Sequence, residues 1–398
     1  MVSMDKTRSI HRAICKNGTH IAYQSDGDKK SPRVTNKLHK KNATMVTPPL
    51  QIGFVPLTDC APLVMAHELG LFRKYGLRVK LHRELGWATI RDKVIHGELD
   101  AAHALAAMPV AATVGLNSIA CDCVTGLVLN LHGNAITLSN DLRERGVRDG
   151  ESLRKAVLQM RREKTLVFGA VATFSSHFFL LHRWLVNSGI HPERDVRIVI
   201  VPPPQMVANL KAGHLDGFCV GEPWNSVAVR SRVGWCVAVS AELAPGHPEK
   251  VLMVRREFAE KRAEEHIALL AAVLEACAFC DDPQNHPQLF ATLARPEYVG
   301  VPESDLRRGS GREFDFGDGR VRNVRDFTVF HRHDANEPSA EKSAWVMQQM
   351  REAATGRESG IFNSALGRRV FRTDLFEKAA RLRASIREKK AEKIPVLN

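Results

Sequence analysis

Residues 51–82 read QIGFVPLTDCAPLVMAHELGLFRKYGLRVKLH, and this stretch decides the fold class. Gln51–Leu57 is an apolar run of strand length, Ala61–Tyr75 carries apolar residues at helical spacing, and Leu77–His82 returns to strand character. Strand, helix and strand in close succession predict a βαβ unit with parallel strands. The alternation continues outward with a helix at Trp87–His96, a strand near Asp100–Ala104 and a helix around Pro109–Gly115. Ile119–Leu131 and Ala135–Ser139 are β-rich and cover a predicted crossing between lobes. Helices follow at Ser152–Arg162, Ser176–Ser188 and Gln205–Ala212, interleaved with strands at Thr165–Ala170, Val196–Val201, Gly217–Val220 and Trp235–Ser240. The chain returns through Lys250–Arg255 to long helices, Ala259–Cys280 and Lys342–Glu352, around an irregular excursion over Arg307–Asn336 that contains FDFGDG.

This order predicts an α/β protein whose parallel or mixed sheets are covered by helices on both faces. Two such sheets joined by two crossings form a two-lobed clamshell, with the ligand between the lobes at strand C-termini and helix N-termini. The expected division is a disordered basic tail over 1–46, the first part of lobe one over 47–140 and lobe two over 141–249. The return to lobe one with its helical excursion then spans 250–367, and a basic C-terminal helix and tail spans 368–398.

The 398 residues carry a formal charge of +13, and the two ends hold all of it, +7 over residues 1–46 and +6 over 368–393. The body between is neutral, so the basic balance does not point to a nucleic-acid-binding body. Three tyrosines and 6% aromatic residues argue against a stacking platform for single strands. No run approaches the roughly 18 apolar residues of a membrane span. The first residues lack the apolar core of a secretory signal, which predicts a cytoplasmic protein, and Met45 is a candidate true start just before the first strand.

The eight cysteines form no paired framework. Cys121 and Cys123 lie two apart in a predicted strand and point the same way, and Cys277 and Cys280 fall within an apolar helix. No second ligand pair has metal-site spacing, so buried, reduced thiols and no metal or cofactor are expected.

Four segments could carry chemistry. Thr173-Phe-Ser-Ser-His177 opens a helix, where serine caps, unpaired first-turn N–H groups and a histidine ring form an anion site. The same residues also suit an ordinary capped helix with a surface histidine. Gly86-Trp87 feeds a helix, and the indole N–H could donate to an anion or the ring could simply fill the core. Lys250 precedes an apolar run, placing a compact charge at a strand entrance that faces either the cleft or solvent. The triproline Pro202–Pro204 fixes an extended approach to a helix, and Glu222-Pro223-Trp224 reads as a helix start with an acidic first turn.

Together, IGFVPLTDCAPLVMAHELGLFRKYGL, VPPPQMVANLKAG, FCVGEPWN and HPEK resemble the nitrate/bicarbonate substrate-binding proteins of ABC importers, and equally that family's cytoplasmic nitrate-sensor branch, over roughly residues 50–330. The resemblance implies a periplasmic-binding-protein-like (type II) clamshell. It implies a ligand shell of Trp87, Ser176, His177, Asn134 and Lys250. Asn134 in LHGNA stands where the family has a Gln, and Ser176 where it has a Thr. Lys250 matches the nitrate form, since bicarbonate binders carry an acidic residue there. A lysine suits an anion without a proton, whereas a carboxylate suits bicarbonate and an associated cation.

The leading expectation is therefore a cytoplasmic nitrate or nitrite sensor that frees an ANTAR-type, RNA-binding antitermination regulator when the anion binds. The alternative is the substrate-binding protein of a nitrate, nitrite or bicarbonate ABC importer, partnered by its permease. An enzyme on the same fold would need a reactive Cys/His cluster, and Cys60 and Cys219 lack the neighbours that activate a thiol.

Overall fold

The computed structural model describes residues 48–354 and 356–391. The basic tail expected over 1–46, with Met45 and Cys15 in it, lies outside the described residues, as does the chain beyond Ala391. Strands β1 (Leu50–Phe54), β2 (Val79–Arg83), β3 (Ala101–Leu105) and β4 (Cys123–His132) build a first sheet. Strands β5 (Asn134–Ser139), β6 (Val167–Ala170), β7 (Arg197–Ile200), β8 (Gly217–Gly221) and β9 (Gly234–Val239) build a second. β10 (Pro248–Arg255) returns to the first, and β11 (Phe314–Asp315), β12 (Val321–Arg322) and β13 (Thr328–Val329) lie in the excursion. The first sheet runs β13-β4-β10-β3-β1-β2 and the second β7-β6-β8-β5-β9.

The βαβ units are parallel as expected: β1 with β2 and β3, and β6 with β7 and β8. The sheets as wholes are mixed. β5 is antiparallel to β8 and β9, and β10 is antiparallel to β3 and β4. Each of these strands is delivered from the other lobe, without the covering helix that keeps consecutive strands parallel. The outward crossing is a sharp turn at His132 (φ 58°) and Gly133 (φ 97°). Glycine meets both demands there, because a Cβ would also sit 2.9 Å from Thr328 Oγ1.

Two predicted long helices are each two. Ala61–Tyr75 divides into Ala61–Glu68 and Leu71–Lys74 at Gly70, whose φ of 67° ends the first helix. Ala259–Cys280 divides into Arg256–Lys261 and Ala263–Asp281 at Arg262. Residues Leu269 to Leu274 of the second are all buried, so this helix is covered on every side. One cover is the C-terminal helix Thr373–Ala391, which buries Leu375 and Ala379 in the first-lobe core. The expected basic C-terminal helix is thus docked, and its span is interrupted at Phe371, which bridges to Thr125 of β4.

The excursion is not wholly irregular. β13 adds to β4 of the first sheet, while Phe314, Phe316 and Phe327 pack on Cys236 and Val239 of β9. Cys236 N donates to Phe316 O at 2.8 Å, and Arg143 donates to the Gly317 and Asp318 carbonyls. This segment therefore touches both sheets. The described cysteines are free and all buried except Cys121, which is half-buried.

Candidate anion-binding site

Where the two sheets face each other, polar side chains gather out of solvent. Ser175 caps the helix Ser176–Asn187, its Oγ accepting from Phe178 N at 3.1 Å. That cap leaves the next two side chains free of a capping duty. Ser176 Oγ is buried without a hydrogen-bond partner, and neither ring nitrogen of fully buried His177 has one. Burial holds the His177 imidazole down to a pKa of about 4, so the ring is neutral at physiological pH. Helix geometry also leaves first-turn N–H groups without intrahelical acceptors.

From the other lobe comes Trp87, the first residue of the helix Trp87–His96. Its indole Nε1 is buried and unpaired, and its ring lies 5.2 Å from the His103 ring and 5.4 Å from Lys250 Nζ. A cation over an indole face is held electrostatically as well as by packing.

β10 supplies the charge. Side chains of successive strand residues normally point to opposite faces. Here the β10–β4 register slips on both sides of Lys250, and Glu249 and Lys250 are both fully buried in one cluster. Lys250 Nζ lies 2.5 Å from Glu249 Oε1 and 2.8 Å from Asp59 Oδ2. Burial pushes the lysine down, but Asp59 and Glu249 together more than reverse this and raise its pKa. Burial likewise pushes both carboxyls up, and the Lys250 charge wins, holding Asp59 below and Glu249 well below the ordinary range. All three groups are ionised, so the trio carries one net negative charge.

Every carboxylate oxygen of the trio already has a neighbour. Asp59 Oδ1 lies 2.9 Å from His103 Nε2. Glu249 Oε2 accepts from Asn134 Nδ2 at 2.6 Å and faces His247 Nε2 at 3.2 Å, and Glu249 Oε1 also lies 3.4 Å from His177 Nε2. His103 takes the Val55 N–H on Nδ1 at 3.4 Å, which leaves the proton on Nε2, toward Asp59.

The structure thus brings together Trp87, Asn134, His177 and Lys250 around Glu249, with buried Ser176 beside His177. Asn134 donates one amide N–H to Glu249 Oε2, while its Oδ1 has no hydrogen-bond partner. Asp59, His103, His247 and Glu249 are additional members that sequence reasoning missed. The available signal was a charged or ionisable residue inside an apolar run, as in LTDCAPL and AAHALAAM. Glu222 is also not the first-turn residue expected, because the helix is Trp224–Arg230 and Glu222 caps it by accepting from Ser226 N at 3.1 Å.

Residues 44–294 match the NMT1-like family. The chain is 41% identical over 304 residues to the nitrate import ATP-binding protein NrtC of Synechocystis sp., covering 76% of this chain and 45% of that one. It thus spans about half the length of the ATP-binding relatives it matches. It is 34% identical over 342 residues to the nitrate/nitrite binding protein NrtA of Synechococcus elongatus, covering 83% of this chain and 77% of that one. The crystal structure of the periplasmic nitrate-binding protein NrtA from Synechocystis superposes with a TM-score of 0.79 at 28% identity, covering 87% of this chain and 91% of that one. Fold, ordered motifs and matched span agree, and the chain belongs to the NMT1-like family, among the nitrate/bicarbonate-type substrate-binding proteins.

Proposed function

We propose that the protein binds a small oxyanion without a proton, nitrate or nitrite, between its lobes, as the substrate-binding component of an ABC importer. It is a binding protein rather than an enzyme, as its relatives and fold are. The observation that carries the ligand class is the balance of open groups around Lys250. All four oxygens of Asp59 and Glu249 already face protein cations or N–H groups. The unpaired groups include the Trp87 indole N–H, which only donates, and the His177 ring and Ser176 hydroxyl, which can each donate one hydrogen, joined by the N–H that Lys250 has beyond its two carboxylate partners. Nitrate needs donors alone, whereas bicarbonate also needs an acceptor for its O–H. Asn134 Oδ1, Asp59 Oδ1, the Ser176 oxygen and the bare nitrogen of the neutral His177 ring can accept there, so the case for nitrate rests on Lys250 and the Trp87 indole, which only donate.

A thermal-shift series with nitrate, nitrite, bicarbonate and sulfate tests the assignment. A ligand at 100 times its Kd stabilises the native state by about 2.7 kcal/mol, which is readily seen as a rise in Tm. Nitrate or nitrite should raise Tm and sulfate should not. A response to bicarbonate alone would reverse the choice of anion.

The importer role rests on the relatives' printed roles in nitrate import and on the periplasmic NrtA fold match. No helix among the described residues is long and apolar enough to cross a membrane. The cytoplasmic sensor that releases an ANTAR-type antitermination regulator is the second reading, and it rests on the shared sequence motifs. Cell fractionation, together with pull-down of such a regulator with and without millimolar nitrate, separates the two. A complex that dissolves in nitrate supports the sensor, and co-purification with a permease supports the importer.

A further inference from the structure

The site has two buried carboxylates and one buried lysine, an odd balance for a place that receives an anion. Adding a monovalent anion to that trio would bury two net negative charges, which is prohibitive without a further cation. Four histidines surround it, and their hydrogen bonds distinguish which of them carries a second proton.

His103 accepts the Val55 N–H on one ring nitrogen, so it is neutral. His132 accepts the Gly246 N–H on Nε2 at 2.6 Å and faces the Asp326 carbonyl through Nδ1 at 2.9 Å, so it is neutral also. Burial and the adjacent His247 together hold its pKa down to about 4. His177 has no hydrogen-bond partner at all. His247 differs from these three. Its Nδ1 lies 2.7 Å from the Ala244 carbonyl and its Nε2 lies 3.2 Å from Glu249 Oε2. Both partners are acceptors without a hydrogen, so each ring nitrogen must bring its own.

We propose that His247 is an imidazolium and acts as the positioning residue that balances Glu249, so that anion binding at the Lys250 site is linked to a proton held on His247. With that proton the cluster of Asp59, Glu249, Lys250 and His247 is neutral, and Glu249 is held on the side of Asn134 and His247. Without it the anion meets an excess carboxylate. The groups that face His247 are Glu249 from β10, which begins just after it, His132 from β4 with ring centroids 5.0 Å away, and the uncharged Trp345 ring from the helix Ala340–Ala353 at 5.2 Å. The Ala244 carbonyl faces it from the turn before β10, and His177 is its electrostatic neighbour on the helix Ser176–Asn187. Of these, Glu249 is the one negative charge, and it stabilises the imidazolium.

This inference rests on the anion-site reading, and one calorimetric series separates the two. Nitrate is the probe because it has no proton of its own in this range. For the native chain, nitrate affinity should fall as the pH is raised, with proton uptake accompanying binding at the alkaline end. His247→Gln should lose roughly tenfold or more in affinity at about pH 6 and should flatten the pH profile. Adding Glu249→Gln to that variant removes the charge that needed balancing, and should restore most of the affinity with no pH dependence.

A purely structural His247 would not be rescued by the second substitution. An affinity of the native chain that does not change with pH, a pH profile that survives His247→Gln, or a double variant no better than the single one would each overturn the proposal while leaving the anion site standing. Absence of any nitrate, nitrite or bicarbonate binding by the native chain would overturn the site reading itself, and this proposal with it. If His247→Gln does not fold, the native pH profile and proton uptake decide the matter.

Discussion

Glu249 and Lys250 are neighbours on one strand, yet the carboxylate and the ammonium meet at 2.5 Å, both wholly out of solvent. A regular strand would send one of them to the opposite face. The register slip in β10 turns both inward and concentrates the site's charge at one point. Asp59 completes the trio from just after β1, so the lysine is shared between its own strand and the start of the chain's first helical turn.

Replacing Lys250 with Met should be costly before any ligand is considered. Two buried carboxylates would lose their cation, at a cost of about 3–5 kcal/mol in unfolding free energy at neutral pH. The loss should shrink as the pH falls and the carboxylates take up protons, which denaturant titrations at several pH values would show. Lys250→Glu should abolish nitrate binding by calorimetry, and unchanged affinity would refute Lys250 as the charge partner.

Trp87→Phe separates packing from donation. The Phe ring keeps most of the apolar contact and removes an indole N–H that has no protein partner. Stability should change by less than about 1.5 kcal/mol, while nitrate affinity drops roughly tenfold. A variant that loses stability but keeps its affinity would show that the indole serves the core alone.

His266 lies in the first lobe, away from the site, edge-on to Phe258 at 5.8 Å with both ring nitrogens buried and unpaired. Burial, helped by Arg372, holds its pKa down to about 4. The unfolded ring titrates near 6.5, so the native state loses stability as pH falls from about 6.5 to about 4, where only the unfolded chain binds the proton. His266→Leu should remove that penalty, leaving the variant more stable than the native chain at about pH 5 by about 1–2 kcal/mol. Thermal melts at pH 5 and 7 give the comparison.

Glu222 titrates in the opposite sense. Burial pushes its carboxyl up to about 7, because its hydrogen bonds from the Ser226 region offset only part of the desolvation and Oε1 has no partner. A raised carboxyl pKa means stability that is full below the unfolded value and lost as pH rises through about 7. Glu222→Gln keeps an oxygen for Ser226 N and cannot ionise, so it should gain about 1–3 kcal/mol at pH 8 and little at pH 5. Equal melting temperatures at pH 8 would show that the carboxyl ionises without cost.

Parts of the site were legible because they are local. Ser175 and Ser176 before an apolar helix, Trp87 at a helix start and Lys250 at a strand entrance are patterns of adjacent residues, and the structure places all of these in or beside one cluster. The hydrogen bond that Asn134 Nδ2 donates was not legible, because its acceptor, Glu249, comes from the other sheet. The helix divisions at Gly70 and Arg262 were missed for a different reason. Hydrophobic periodicity runs through both points, and the division falls at a left-handed glycine in one case and at the non-helical backbone of Arg262 (φ −120°, ψ 45°) in the other.

The sequence by itself determined the alternation of strands and helices, the neutrality of the body between two basic ends, and the short motifs that begin helices and strands. These depend on side-chain period and composition over a few residues, which one chain displays in full. Only the tertiary structure decided that Lys250 is held by two carboxylates, that His103 and His247 stand behind them, and that the C-terminal helix is docked on the first lobe. Charge balance in a buried site is a sum over groups from distant segments at distances of a few ångströms, and no local pattern encodes which of them will meet.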